Sequence, residues 1–224
     1  MQPMNFSVIA QDAVNYVAVA SGHKLYIKQH HLLPSLDATI NQSLAQGQLA
    51  KYPYTRSLVS SHFIGPGRHD YNTSLFTDYV PKRVFVALVD ASAFKGAPLL
   101  SPFDFKPFGL DRIHVSVNNK IVPTYPYDLG RKEFARAFKD LTDNTTNTGL
   151  TYQKYLTHSC IFAFDFQHYH SDKAIDPQQT GTTALSLKFA SAVPTSGIQA
   201  IVYSEFDSII SFDFARNNTT ALPV

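Results

Sequence analysis

Tryptophan is absent, cysteine occurs once, and charged residues make up only 16% of the 224-residue chain. Each scarcity excludes something. The single Cys160 has no partner, so no internal disulfide framework holds the fold, and the chain suits a reducing compartment such as cytoplasm or nucleus. Set in an apolar alternating stretch, Cys160 is expected to pack as a small hydrophobe. With 19 basic against 17 acidic residues the net charge is +2, and no basic run is long enough to neutralise several phosphates in a row. No specific nucleic-acid motif is present. Nowhere do about 18 apolar residues run together, so no membrane span is expected, and residues Met1 to Ala10 lack the charged start and apolar run of a signal peptide. The chain reads as soluble and unexported, and its Asn-x-Ser/Thr triplets, such as Asn72-Thr73-Ser74, carry little weight without a secretory context.

What remains is apolar and aromatic. Hydrophobic residues make up 44%, with 17 Phe and 12 Tyr, which is enough to fill a core and too much for a disordered chain. The patterning is period two, as expected for strands with one face buried. Strands are expected at Val14 to Ala20, Lys24 to Gln29, Thr55 to Ile64, Arg83 to Val89, Arg112 to Val117, Cys160 to Phe166, Ala184 to Phe189, Gln199 to Glu205 and Ser208 to Phe214. That count calls for two packed sheets. Turn chemistry separates the runs at Gly65-Pro66-Gly67, Asn118-Asn119, Pro123 with Pro126, and Pro194 to Gly197. Asn118-Asn119 is the sharpest of these, because Asn tolerates positive φ and so lets Val115 and Val117 fold back on Ile121 and Val122 as a hairpin. The other connections are long, as a Greek key or jelly roll requires.

Three short helices are expected as insertions. Leu36, Ile40 and Leu44 follow Ser35 as a candidate N-cap, with Gly47 as the stop. Arg131 to Leu141 sets Phe134, Phe138 and Leu141 on one face, and Thr151 caps a short helix running to Leu156. The fold class is therefore all-β, a jelly-roll sandwich of two antiparallel sheets with a few short helical insertions. Its organisation reads as N-terminal strands and a connecting helix over 1–50, a jelly-roll domain over 51–216 and a tail over 217–224.

Chemistry is sparse. His168-Tyr169-His170, with Asp165 and Asp172 beside it, is the most metal-like cluster, since alternate strand residues project to one side. A third ligand at a reliable spacing is missing, and a polar strand end is the better reading. His30-His31 runs into Leu32-Leu33-Pro34 as a strand exit. No nucleophile elbow, Walker loop, dinucleotide fingerprint or His-Glu-x-x-His occurs. Asp104, Asp165, Glu205 and Asp207 cannot be assigned as a glycosidase pair, and Glu205 and Asp207 read as a strand end. Phe103, Phe105 and Phe108 read as a loop plugging the core, with a sugar platform or interface anchor as the alternative. No catalytic, cofactor-binding or metal-binding residue is expected, and no cofactor.

The words Pro81-Lys82-Arg83-Val84-Phe85-Val86-Ala87-Leu88-Val89-Asp90, then Ala93-Phe94-Lys95-Gly96, then Ser101-Pro102-Phe103-Asp104-Phe105, carry a resemblance. They are similar to the major capsid protein of Polinton (Maverick) elements and adintoviruses, and the similarity extends from about Ala50 to Arg216. Ser101 stands where that family has Asn in its Asn-Pro-Phe-x-Phe phrase. The resemblance implies a member of the double jelly-roll lineage, whose subunits carry two eight-stranded sandwiches and assemble as pseudo-hexagonal trimers. This chain is too short for both, so residues 51–216 resemble the carboxy-terminal sandwich and residues 1–50 a remnant of a preceding one, or an arm. The implied partners are copies of itself, as a homotrimer and in neighbouring capsomers, with penton or minor capsid proteins as further partners. The implied location is the virion, assembled in host cytoplasm or nucleus. Three other readings stay open: a carbohydrate- or receptor-binding sandwich, a single jelly-roll penton or minor capsid protein, and a cupin-like metalloenzyme built on His168 and His170.

Overall fold

The Asn118-Asn119 turn starts a nested set of antiparallel pairs that accounts for the whole topology. The computed structural model describes residues 21–97, 99–146, 149–166 and 179–220. Both asparagines adopt positive φ, 48° and 66°, and join β4 (Leu110–Val117) to β5 (Lys120–Asp128), with Val115 opposite Val122 and Val117 opposite Lys120. Outside this hairpin, β3 (Arg83–Asp90) pairs with β6 (Ile161–Asp165), and β2 (Asp70–Phe76) with β7 (Thr183–Phe189). Outermost, β1 (Ala50–Ile64) neighbours β8 (Ile198–Phe212). The ribbon is rolled into two sheets, β1-β8-β3-β6 and β2-β7-β4-β5. This is the jelly-roll arrangement of two antiparallel sheets expected from the sequence.

The described residues fall into two units, one holding those from 57 to 206 and the other those from 21 to 56 and from 207 to 220. The first unit contains the core. Val84, Val86 and Leu88 of β3, Phe162 and Phe164 of β6, and Ala200 and Val202 of β8 are buried together with Ile113 and Val115 of β4 and Leu185 and Leu187 of β7. Their alternation is the period-two signal: each strand sends every second residue inward. In the second unit β9 (Asn218–Thr220) pairs with the far end of β8, and Tyr52 packs edge-on against Phe212 at 5.8 Å.

Helices decorate the first unit. α2 (Ala91–Phe94) is capped by Asp90, whose carboxylate accepts from the amides of Ser92 and Ala93. α3 (Phe134–Asn144) buries Ala137 and Leu141, with Phe134 and Phe138 against the core. α4 (Tyr152–Thr157) starts on the Thr151 cap. The second unit carries α1 (Pro34–Ala45), which stops before Gly47 at φ 85°.

Several local expectations are corrected. Lys24 to Gln29 forms no strand and is exposed throughout, because alternation supplies a face and no partner. Val14 to Ala20 lies outside the described residues. β2 is an unanticipated strand, polar except for Tyr71, Leu75 and Phe76. Pro123 and Pro126 sit inside β5 and do not end it; β5 is an edge strand, where a missing N–H costs no ladder bond. The segments Gln199 to Glu205 and Ser208 to Phe214 are one strand, β8, ending at Phe212, so Glu205 and Asp207 mark no strand end. Phe206 and Ser208 continue the inward alternation there, which carries the strand through the two acids. Ser35 caps nothing, since Pro34 already occupies the first helical turn of α1. α3 starts at Phe134 and not Arg131, after a 3-10 turn at Leu129–Arg131 and a left-handed Lys132.

One close approach fixes the corner before β8. Gly197 has φ 77°, and a Cβ there would lie 2.6 Å from the Phe63 ring and 3.1 Å from the Ile64 carbonyl oxygen. Gly67 has the same φ of 77° but faces open space. Gly197→Ala is expected to lose the roughly 1–2 kcal/mol of a left-handed L-residue plus the crowding, and Gly67→Ala only the former. Urea unfolding of the two variants measures the difference, and equal losses would contradict the close approach.

Candidate functional site

The two sheets differ in what they show on their outer faces. On β4 and β7 of the second sheet the outward positions are polar: Arg112 lies opposite Lys188 and His114 opposite Ser186. On the first sheet the outward positions in the middle of β3, β6 and β8 are apolar. Phe85 lies between Ala163 and Tyr203, and Ala87 between Ile161 and Ile201. Sequence reading takes Arg83 to Val89 as an ordinary half-buried strand, yet its outward side chains are as apolar as its inward ones. With Phe105, Leu141 and Leu150 they line a groove of about 710 Å³. An antiparallel sheet can leave one face to water, and a face this apolar is the one that water stabilises least.

A polar track closes one end of the groove. Arg83 donates from Nε to Glu205 Oε2 at 3.0 Å and from Nη1 to the Asn144 carbonyl at 3.1 Å. The second bond places a guanidinium on the last carbonyls of α3, where the helix dipole favours a cation. The Tyr203 hydroxyl lies 3.2 Å from Glu205 Oε1, to which it donates, and 2.8 Å from Ser57 Oγ. Arg83 and Glu205 are mostly buried, with side-chain exposures of 16% and 17%. In register, Arg83 stands between Asp165 of β6 and Glu205 of β8, so two of the four unassigned acids flank it on neighbouring strands, and Glu205 pairs with its guanidinium.

Behind Arg83, β5, α3 and β6 enclose a cleft of about 600 Å³. Tyr127 forms its floor, donating to Asp140 at 2.6 Å beneath the Arg136 guanidinium, 5.2 Å from the ring. Burial, then the Asp140 carboxylate, drives the Tyr127 phenol far above its usual range, so it acts as a fixed donor. Arg136 also donates to the Tyr125 carbonyl at 3.0 Å, and Lys139 pairs with Asp143. Lys139 and Asp143 thus engage each other, and Asp140 is engaged by the Tyr127 hydroxyl.

The loop before β4 forms the groove's other end. Phe105 makes a parallel bridge with Ser159, and the Asp104 carboxylate is held by His158 Nδ1 at 2.8 Å and Lys106 at 2.7 Å. Burial alone would raise the Asp104 carboxyl; the bonds from Lys106 and His158 lower it further than burial raises it. Of the three loop phenylalanines read as a core plug, Phe108 packs on the core, Phe105 lines the groove, and Phe103 stands 71% exposed. Cys160 is buried, and burial pushes its thiol up to about 12, which keeps it protonated and inert as expected of a small packing residue.

Among the described residues no group of three or more His, Cys, Asp or Glu could hold a metal ion. His168, His170 and Asp172 lie outside the described residues, and His30 and His31 are exposed in the irregular stretch before α1. No described helix is long and apolar enough to cross a membrane. The Arg83 network escaped sequence reading because its members are 61 and 122 residues apart. The one usable signal was the unbroken apolar run of β3, which an ordinary half-buried strand does not show.

No protein-family profile matches the chain. An uncharacterized protein of Caenorhabditis elegans is 28% identical over 206 residues, which is 85% of this chain and 48% of that protein. A chain of the Sputnik virophage structure is similar with a TM-score of 0.54 at 9% identity, over 79% of this chain and 39% of that one. A chain of the PBCV-1 virus capsid gives a TM-score of 0.47 at 8% identity, over 79% and 52%. The chain thus spans about half the length of the curated relative it matches. The likeness to the virophage chain is one of fold.

Truncating either partner of the Arg83–Glu205 pair strands a mostly buried charge. Arg83→Met and Glu205→Gln are each expected to cost about 2–3 kcal/mol, with a coupling of order 1 kcal/mol in the double variant. Denaturant titration of the four proteins measures the cycle; strictly additive losses would show that the two side chains do not act together.

Proposed function

We propose that this chain is a structural capsid subunit, a jelly-roll protein that assembles with copies of itself into a virus-like shell. The observation that carries the reading is the apolar groove on the β1-β8-β3-β6 sheet, where half-buried Phe85, Ile161 and Ile201 are joined by Phe105, Leu141 and Leu150. A subunit designed only to be soluble gains nothing from a second apolar face, whereas an assembling one gains an interface. The jelly-roll topology and the fold likeness to the virophage chain support the same reading.

In finer terms, the sequence words around Pro81 to Phe105 favour the double jelly-roll lineage of Polinton and adintovirus capsids. Trimeric capsomers would then be the assembling unit, penton or minor capsid proteins further partners, and the virion the location, with assembly in host cytoplasm or nucleus. Residues 51–216 form the jelly-roll body in this reading, residues 1–50 an arm or the remnant of a preceding sandwich, and residues 217–224 a tail. The work is mechanical and asks for no catalytic residue, metal or cofactor. The engaged charges of the Arg83 track and of the Tyr127 cleft suit that role, because they fix geometry and leave no group activated for reaction.

Light scattering on the size-exclusion eluate of the full chain tests the proposal. Multimers, trimers among them, are expected at micromolar concentration, with Phe85→Asp shifting them toward monomer. A wild-type chain that stays monomeric and captures glycans on an array would replace the capsid reading with that of a sugar-binding sandwich.

A further inference from the structure

The second unit begins with a stretch that has the pattern of a strand and the surroundings of none. Lys24 to Gln29 alternates polar and apolar residues, yet it forms no ladder, and Leu25, Tyr26 and Ile27 are 86%, 86% and 73% exposed. The stretch runs on into Leu32 and Leu33, 49% and 73% exposed, and into α1, which buries no residue and leaves Leu36 and Ile40 48% and 37% exposed. Every residue from 21 to 42 is exposed. A run of that length matches the roughly 20–30 residues that one side of a standard interface contributes. A 12-residue helix that buries nothing is also marginal by itself, so its stability has to come from a surface outside it.

We propose that residues 24–29 are a donor strand that adds, in a second copy of the chain, to the edge of β1 that carries no strand among the described residues. Strand addition needs an acceptor edge with free ladder groups and side chains that gain by being covered. The sheet ends differ in how well they meet that need. β5 is blunted by Pro123 and Pro126, β6 has α3 packed on it, and β2 presents Asp70, Asn72 and Ser74 at its exposed positions. β1 is 15 residues long, has β8 on one side and, among the described residues, no strand on the other. Its outward side chains Val59 and Phe63 are 68% and 50% exposed. An added strand sets Leu25 and Ile27 beside Val59 and Phe63, covering apolar pairs on both chains. From Ser57 to Ile64 β1 carries no Lys or Arg, so the cations that Lys24 and Lys28 meet there are His62, whose burial lowers its tendency to protonate, and Lys95, which lies 5.6 Å over the Phe63 ring.

The inference rests on the self-assembly reading and names one of its contacts. Hydrogen exchange read by mass spectrometry on the full chain, in assembled and monomeric fractions, tests it. In the assembled fraction the amides of residues 24–29 are expected to exchange at least tenfold more slowly than in the monomer. The double substitution Leu25→Asp with Ile27→Asp, and separately Val59→Lys, are expected to abolish that protection and shift the eluate toward monomer, leaving the unfolding midpoint of the monomer unchanged. Assembled protein whose residues 24–29 exchange freely, or variants that assemble like wild type, would overturn the donor strand alone. A wild-type chain that never assembles would overturn the capsid reading with it.

Discussion

The structure depends on one constraint: four nested antiparallel pairs, started by the Asn118-Asn119 turn, must roll so that every second residue meets the facing sheet. The turn sets register for β4 and β5, and each outer pair inherits the need to continue the sheets that the inner pairs begin. Since side chains alternate, a one-residue slip in any pair would expose its inward set. Val84, Val86, Phe162, Phe164, Ile113 and Leu185 are therefore held in place by pairing and hold the pairing in place. Local turn chemistry and long-range burial agree on a single arrangement, which is the consistency expected of a sequence that specifies one fold.

Legibility followed from how local each signal was. The Asn118-Asn119 hairpin could be read because two adjacent residues determine it, and β3, β4, β6 and β7 because apolar alternation needs no knowledge of partners. β2 escaped because Asp70, Asn72 and Ser74 dilute Tyr71 and Leu75, and β5 because prolines signal turns unless the strand is known to lie at an edge. Glu205 and Asp207 misled in the same way: charges inside a strand read as an end until the register shows Glu205 on Arg83. Lys24 to Gln29 is the converse failure, a sound pattern that finds no partner strand among the described residues. For the site, only the unbroken apolar run of β3 was visible in advance. The groove and the Arg83 track are built from contacts between residues far apart in sequence, which no window of residues contains.

The asymmetry of the two outer faces links fold to function. A sandwich that buries only its interior carries polar residues on both outer faces; here β4 and β7 of one sheet do so, whereas the middle of β3, β6 and β8 in the other carries Phe85, Ala87, Ile161 and Ile201. The polar track at one end of the apolar groove holds its wall through the mostly buried Arg83–Glu205 pair, which keeps its geometry better than the exposed His158–Asp104 bond that tethers the loop at the other end.

Cryo-electron microscopy of purified full-length protein tests the central claim most directly. The account predicts closed or partly closed shells in which the Phe85 face of each jelly roll is covered by density from a neighbouring subunit. Fields of dispersed single subunits, or assemblies in which that face looks onto solvent, would contradict it.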